Sequence, residues 1–391
     1  MSERRIAHLD MDAFFASCEL LRYPQLKDQA VVIGGRGQGD LHASQDLAQL
    51  PLSAFARLRD YQGRGVITTA TYAARQFGVG SAMGMMKAAK LCPDAILLPA
   101  DFERYREYSR RFKAIITDIA PVMENRGIDE VYIDFTEVPG GQRDRGRSLA
   151  RLIQREIFLQ TGLTCSVGVA PNKLLAKLAS EMDKPNGITV LGPEDVPTRI
   201  WPMACRRLNG IGPKADARLQ AMGLHTLGEV AQADVLSLQT RLGRRYGAWL
   251  HQACNGIDDR PVEVSSEPVS MSRETTFERD LHPVHDREVL GAVFTRLCAQ
   301  VASDLQRKGY VGKTVGIKLR DDRFQTATRD STHARHTDEA AVIRRWAGEA
   351  LKRAPLDRPL RLLGVRVASL QRKSELAQAP ESPGEQAELF D

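Results

Sequence analysis

The sequence predicts an α/β fold spread over several domains, and three observations carry that expectation. At 391 residues the chain is longer than one ordinary core organises, so two to four domains are expected. Up to about residue 190, β-branched runs alternate with amphipathic helical spacings. Beyond that point the pattern becomes helical, and after a polar stretch it becomes rich in strands.

The elements follow in chain order. "RIAHLD" (5–10) alternates enough for a short buried strand, and "AFFASCELL" then has helical spacing with Asp12 as its expected N-cap. "AVVIGG" (30–35) and "GVITTA" (65–70) read as strands. Between them, "RGQGDLHASQDLAQLPLSAFARLRDYQGRG" has no clear period and reads as a loop with one short helix. "DFERYREYSRRFKAIITDIAP" is a charged amphipathic helix, "GIDEVYIDF" a strand, 148–160 a helix, "TCSVGVA" a strand and "NKLLAKLASEMD" a helix. In the last of these Leu174, Leu175, Leu178, Ala179 and Met182 make one apolar stripe, with Asn172 placed to cap it and "KPNG" to stop it. From about 192 helices dominate. "DDRPVEVSSEPVS" reads as a linker, followed by the strands "YVGKTVGIKLR" and "LRLLGVRVASL". The tail "SELAQAPESPGEQAELFD" is poor in apolar residues until Leu389 and Phe390 and is expected to be disordered.

Composition narrows the class. No apolar run approaches the ~18 residues of a membrane span, and "MSERRIAHLD" lacks the apolar core of a signal peptide. Six cysteines with no CxxC spacing read as reduced thiols in the cytoplasm, not as a disulfide framework or zinc site. The net charge is +6, but the last 21 residues hold two bases and five acids, leaving +9 on the first 370. That excess suits a polyanionic partner, and it equally suits simple solubility.

Three constellations could do chemistry. Asp10 ends the first strand, while Asp129 and Glu130 open a later one; if the two strands are neighbours, three carboxylates converge at one edge. Such acids repel unless cations intervene, and oxygen ligands of this kind favour Mg²⁺, two of which can support phosphoryl displacement. The other reading is a solvated strand end paired with Arg126 or nearby helix bases. Thr69, Tyr72 and Arg75 in "TTATYAARQFG", with Lys184 in "DKPNG", could grip a triphosphate, or could be ordinary surface polar groups. Gly210 and Gly212 in "LNGIGPKADARLQAMGL" expose backbone N–H groups to a DNA phosphate, with Lys214 and Arg218 on the same side. His282/His285 and His333/His336 have HxxH spacing without an intervening Glu and are not read as metal ligands. Neither a G-x-S-x-G elbow nor a P-loop occurs.

Taken in order, "HLDMDAFFASCE", "VITTATYAARQFGV", "GIDEVYIDF", "CSVGVAPNKLLAKLASEMDKPNG", "LNGIGPKADARLQAMGL" and "VSMSRETTFERDL" resemble a Y-family DNA polymerase of the bacterial DNA polymerase IV kind, over roughly residues 5 to 370. The resemblance implies a right-hand polymerase. Its α+β palm would be 1–21 and 101–191. The fingers would be 22–100, including an inserted segment at 36–63 that the family usually lacks. A helical thumb with a helix–hairpin–helix would occupy 192–258, a linker 259–269 and an α/β little finger 270–370, before the disordered tail 371–391. It further implies that Asp10, Asp129 and Glu130 are catalytic and, with the Met11 carbonyl, hold two Mg²⁺ ions. Asp12 and Asp134 are then structural.

Phe15 matches the steric gate that rejects a 2′-hydroxyl, and Phe14 lies beside it, partly in the core. Thr69, Tyr72, Arg75 and Lys184 match the nucleotide-gripping positions, with Thr71 standing where the family commonly has Asn. Thr68 and Ala82 are small residues over the nascent base pair. Gly210, Gly212, Lys214, Arg218 and Arg273 match DNA contacts. Gln386, Leu389 and Phe390 match the peptide that docks on the β sliding clamp. The implied partners are primer–template DNA, deoxynucleotides and the clamp, with no membrane, and the protein is expected to be a monomer. No separate exonuclease segment is visible, so proofreading is not expected. Two other classes compete with this reading: a nucleotide cyclase, which needs no thumb or clamp peptide, and a catalytically inactive DNA-binding accessory, which would have no need of all three acids.

Overall fold

Every residue of the apolar run Ile6–Met11 except Asp10 is buried, and this run forms β1, the centre of a five-stranded sheet. The computed structural model describes residues 3–35 and 47–376 and separates into two units, dividing between Ser265 and Ser266.

In the first unit the chain continues through α1 (Phe14–Leu20), β2 (Val31–Gly34), β3 (Ile67–Ala70), α2 (Tyr72–Arg75), α3 (Met85–Leu91), β4 (Ile96–Leu98) and α4 (Phe102–Ile119). It then runs through β5 (Met123–Asn125), β6 (Glu130–Asp134), α5 (Arg147–Thr161), β7 (Cys165–Ala170), α6 (Lys173–Ser180) and β8 (Ile188–Val190). The large sheet has the order β5-β6-β1-β7-β8, and only β7–β8 is parallel. The alternation of strands and helices therefore resolves into an α+β sheet. The β5–β6 connection is a tight hairpin, too short for the crossover that parallel strands require. β2, β3 and β4 form a separate small sheet.

In place of the one short helix expected in the inserted segment, 47–63 carries three 3₁₀ turns, Leu47–Gln49, Leu52–Ala54 and Leu58–Asp60. They are pinned by the buried side chains of Leu50, Phe55 and Leu58. Residues 36–46 of the segment lie outside the described residues.

Helix spacing explains the packing. Tyr105, Phe112, Ile115 and Ile116 form the buried stripe of α4, whose first turn is capped by Asp101 accepting from the Arg104 amide at 3.1 Å. In α6, Leu174, Leu175, Leu178 and Ala179 are buried as the stripe predicts and Met182 is partly so, with Asn172 capping the Leu175 amide at 2.9 Å. The helix lies tight on the sheet because Gly168 of β7 has no side chain; a Cβ there would overlap the Ala176 carbonyl and the Ser180 amide. Asp12 does not cap α1. Ala13 holds the cap position at φ 44°, and the buried Asp12 carboxylate turns inward to accept from Ser166 Oγ at 2.7 Å and the Asn186 amide at 2.9 Å. A buried carboxylate needs fixed donors, and the sheet offers better ones than the helix start.

Helices α7 (Pro213–Gln220), α8 (Leu227–Gln232), α9 (Val235–Leu242) and α10 (Arg244–Cys254) complete the first unit. Part of the stretch read as a linker is fastened to this unit. Lys173 and Glu124, each 5% exposed, pair at 2.5 Å. Lys173 also donates to the Pro261 carbonyl at 3.1 Å, and the Glu263 amide donates to Glu124 at 2.9 Å.

The second unit comprises β9 (Ser270–Leu281), α11 (Arg287–Lys308), β10 (Tyr310–Asp321), β11 (Thr326–Thr337), α12 (Ala340–Leu351), β12 (Leu360–Arg372) and α13 (Lys373–Leu376). Its antiparallel sheet runs β11-β10-β12-β9 and packs one face on α11 and α12. On the other face, Gly316 lies in register between Asp330 and Arg366, and Gly364 between Lys318 and Glu274. Both ion pairs reach across the glycines, at 2.9 and 2.8 Å. Order continues past 370, because Arg372 still pairs with Tyr310 in the ladder and holds Glu267 at 2.6 Å. All six cysteines, Cys18, Cys92, Cys165, Cys205, Cys254 and Cys298, are free thiols and buried.

Candidate active site

The register of β1 against β6 sets Asp10 directly opposite Glu130, and the Met11 amide donates to the Asp129 carbonyl at 3.0 Å. The three acids are thus gathered at one sheet edge. Each of the two paired acids leans on a cation. Asp10 meets Lys184 Nζ at 2.9 Å, and Lys184 also holds Glu181 at 2.6 Å. Glu130 meets Lys177, with His8 Nε2 at 3.3 Å. Among the described residues no three His, Cys, Asp or Glu side chains already stand together as a cation cage. Arg126, one of the bases considered as a partner for the acids, pairs with Glu124 instead, at 3.4 Å.

Burial pushes the Asp10 carboxyl above its ordinary range despite Lys184. Burial, and then the neighbouring Glu130 charge, push Asp129 up as well. Burial also pushes Glu130 upward, but His8 and Lys177 outweigh it and hold that group at about 2. The edge therefore contains two acids that burial pushes up, Asp10 in spite of Lys184, beside Glu130, which its cations hold down. Lys113, whose ammonium burial pushes down, donates to the Gly127 carbonyl at 2.5 Å and steadies the turn leading to Asp129.

Sequence reasoning misses the cradle beneath Glu130. His8 is fully buried, with Nδ1 2.8 Å from Ser180 Oγ. That hydroxyl donates to the Lys177 carbonyl at 2.8 Å, so its oxygen accepts from His8 Nδ1–H. His8 Nε2 then faces Lys177 Nζ at 3.4 Å. The available signal is position: His8 shares a strand face with Asp10, two residues on.

On the α1 side, Phe15 is half-buried and stacks on Tyr105 with centroids 4.4 Å apart and planes at 16°, while Phe102 meets it edge-on at 5.7 Å. Tyr105 donates its hydroxyl to the buried Glu19 at 2.8 Å. Phe14 turns inward onto Phe112 and Tyr105. Thr69 is buried on β3, and the Arg75 guanidinium lies over the Tyr72 ring at 4.8 Å. The Tyr72 hydroxyl reaches Asp12 at 3.5 Å, and burial, with Asp12, pushes its phenol up to about 12. Thr71 ties the start of β2 to α2. Its Oγ1 accepts from the Val31 amide at 3.0 Å, donates to the Gln29 carbonyl at 2.9 Å, and caps α2.

Comparison with known proteins places this arrangement. The impB/mucB/samB family matches residues 9–181, its C-terminal domain residues 268–380, and the DNA polymerase-iota thumb domain residues 206–258. DNA polymerase IV of Halorhodospira halophila is 38% identical over 379 residues, covering 95% of this chain and 97% of its own length. DNA polymerase IV of Methanoculleus marisnigri is 37% identical over 368 residues, covering 94% and 95%. The chain belongs to the Y-family DNA polymerases, of the DNA polymerase IV type. A Y-family DNA polymerase chimera, Dbh-Dpo4(243-245)-Dbh, shares its fold with a TM-score of 0.77 at 24% identity, covering 93% of this chain and 98% of its own.

In this polymerase the thumb match contains the glycine turn. Gly210 adopts φ +106° with its carbonyl bound by the Tyr246 hydroxyl at 2.9 Å, and a Cβ there would strike the Trp249 ring. Gly212 occupies the cap position of α7 without a side-chain bond, and Lys214 and Arg218 are exposed on that helix. Arg273 points to the helix-covered face of β9, where Asp304 on α11 holds its guanidinium at 2.6 and 3.0 Å. His282 Nδ1 accepts from the amides of Val284 and His285, and His333 stacks on Trp346 at 3.9 Å. Gln386, Leu389 and Phe390 lie outside the described residues. Among the described residues no helix is long and apolar enough to cross a membrane.

Proposed function

We propose that this DNA-directed DNA polymerase carries out low-fidelity translesion synthesis by two-metal nucleotidyl transfer, without proofreading. The observation that carries the reading is the Asp10–Glu130 register pair with Asp129 beside it, at an edge where burial pushes the carboxyls of Asp10 and Asp129 up. The donor set is hard oxygen throughout, which suits Mg²⁺. Asp10, Asp129, Glu130 and the Met11 carbonyl would hold the ions. Two bound Mg²⁺ ions supply hydroxyl activation and charge neutralisation.

The primer 3′-oxygen attacks the α-phosphate of the incoming deoxynucleotide, the bond to the bridging oxygen breaks, and pyrophosphate leaves. Tyr72, Arg75 and Lys184 bind the triphosphate, Arg75 by paired hydrogen bonds, with Thr69 beside them. Lys184 gives up its contact with Glu181 to do so. Phe15 packs under the deoxyribose and leaves no room for a 2′-hydroxyl. Phe14 supports it from the core side. Gly210, Gly212, Lys214 and Arg218 meet backbone phosphates, and Arg273 joins them on release from Asp304. We assign the palm to 1–21 and 101–191, the fingers to 22–100, the thumb to 192–258 and the little finger to 270–370. Gln386, Leu389 and Phe390 dock on the β sliding clamp through two apolar anchors on a tether, which raises the local concentration of the polymerase at a primer end. The protein acts as a cytoplasmic monomer.

The test is extension of a primed single-stranded template with Mg²⁺ and all four dNTPs. Wild type is expected to extend and the Asp129→Ala/Glu130→Ala variant to bind DNA without extending. Wild type that binds DNA but never extends it would move the assignment to an inactive accessory, and equal extension by both proteins would remove the carboxylates from the chemistry. Phe15→Val is expected to admit ribonucleotides.

A further inference from the structure

Lys177 is the side chain that joins two places in the first unit. On one side it contacts Glu130 and lies 3.4 Å from His8 Nε2, with a side chain only 20% exposed. On the other it lines a groove of about 560 Å³ between α6 and the 206–212 turn, together with Glu181, Arg206, Arg207, Gly210 and Gly212. The groove has the chemistry of a phosphodiester site: three cations, Lys177, Arg206 and Arg207, against the one acid Glu181, beside a glycine turn at the start of α7. Arg206 and Arg207 are exposed there, and the nearest acid to Arg206 is Asp216 at 3.9 Å. His8 and Ser180 are built to hold the ammonium on the Glu130 side. The serine hydroxyl orients the buried imidazole at 2.8 Å, and the close approach that allows this depends on Gly168.

We propose that Lys177 couples the groove to the catalytic acids: a backbone phosphate in the groove draws the ammonium from Glu130 and frees that carboxylate to bind a divalent cation. Without DNA, Lys177 competes with the cation for Glu130, so the site binds metal poorly; with DNA the competitor has another partner. The coupling is reciprocal, so the divalent cation tightens DNA binding by the same factor. His8 and Ser180 act as positioning residues that set where Lys177 rests. The inference depends on the reading that the acids take divalent cations and the groove takes DNA.

The experiment measures Mn²⁺ binding by the loss of its free-ion paramagnetic resonance signal, with no nucleotide present. It is done with and without a primer–template whose primer ends in a dideoxynucleotide, so that no chemistry occurs. For wild type, DNA is expected to tighten Mn²⁺ binding roughly tenfold, within the usual range of coupling between sites. Lys177→Met should bind Mn²⁺ about as tightly without DNA as wild type does with it, and gain little when DNA is added. Lys177→Arg keeps the charge and should restore the dependence on DNA, which separates lost coupling from a damaged fold. His8→Phe should shift the DNA-free affinity in the same direction as Lys177→Met. Equal DNA-free affinity in wild type and Lys177→Met, with the same gain on adding DNA, would overturn the coupling. Mn²⁺ binding that survives Asp129→Ala/Glu130→Ala would overturn the metal reading of the acids, and this inference with it.

Discussion

Replacing Tyr105 by leucine removes the surface on which the Phe15 ring rests. The two rings are stacked 4.4 Å apart, and Phe102 closes the arrangement edge-on at 5.7 Å. A stacked aromatic pair contributes about 0.5–1.5 kcal/mol beyond the area it buries. If Phe15 is the steric gate, as proposed above, that is the energy holding the gate ring in one orientation. If it is lost, selection for deoxyribonucleotides over ribonucleotides should fall by roughly 2- to 12-fold, since each 1.4 kcal/mol is tenfold. Tyr105→Phe makes the contrast. It keeps the stacking ring but removes the donor to Glu19, which is 2% exposed and whose nearest remaining charge is Arg22 at 3.8 Å. That change should cost about 1–3 kcal/mol of stability while leaving sugar selectivity at the wild-type value. The assay is kcat/KM for single insertion of matched dNTP and rNTP, with urea unfolding on the same preparations. Wild-type selectivity in the leucine variant, or relaxed selectivity in the phenylalanine variant, would refute the claim that Tyr105 supports the gate by stacking.

Three further outcomes follow from the same geometry. Burial pushes the Glu19 carboxyl above the ordinary glutamate range, so the folded protein holds a proton there that the unfolded chain has released. Its favourable contribution is complete below the ordinary value and is lost as the pH rises through the raised one. Glu19→Gln should therefore flatten the pH dependence of the urea midpoint above about pH 4 and be the more stable protein at neutral pH. Thr71→Val removes the bonds to Val31, Gln29 and the α2 cap; it should cost about 1–2 kcal/mol, and steady-state kinetics should show KM for nucleotide rising more than kcat falls, because Tyr72 and Arg75, the proposed triphosphate ligands, ride on that helix. Lys173→Met leaves the buried Glu124 with only the exposed Arg126 as a cation, at 3.4 Å, and should destabilise the first unit by up to about 3–5 kcal/mol, with most of that recovered in Lys173→Met/Glu124→Leu by urea unfolding.

What the sequence made legible were features with a local cause. The α6 stripe and its Asn172 cap follow from helical spacing, and the strand carrying Glu130 follows from its β-branched run. The acids were legible as a question, because charge at the mouth of an apolar strand demands a partner. Their convergence depended on a register between segments 120 residues apart, which no local pattern encodes. The same limit hid His8, which reads as one polar residue in a strand, and Tyr105, which reads as part of an amphipathic stripe. Asp12 escapes local reading for a related reason: a cap is judged from its neighbours in sequence, but its donors Ser166 and Asn186 come from far along the chain. The short strands β4, β5 and β8 carry too few residues to show a period, and they exist because the adjacent strands offer ladder partners.

The burial of all six thiols has a practical consequence. Burial pushes every one of them above the ordinary cysteine range, the Cys205 thiol to about 11 and Cys254 to about 12, so the thiolate that reacts with maleimides is scarce as well as shielded. The natural protein is thus already a silent background for site-specific labelling. One cysteine introduced at an exposed apolar position, such as Leu159 on α5 or Val289 on α11, would be the sole fast-reacting thiol. A dye at either place would report on a chain that keeps its own core residues intact.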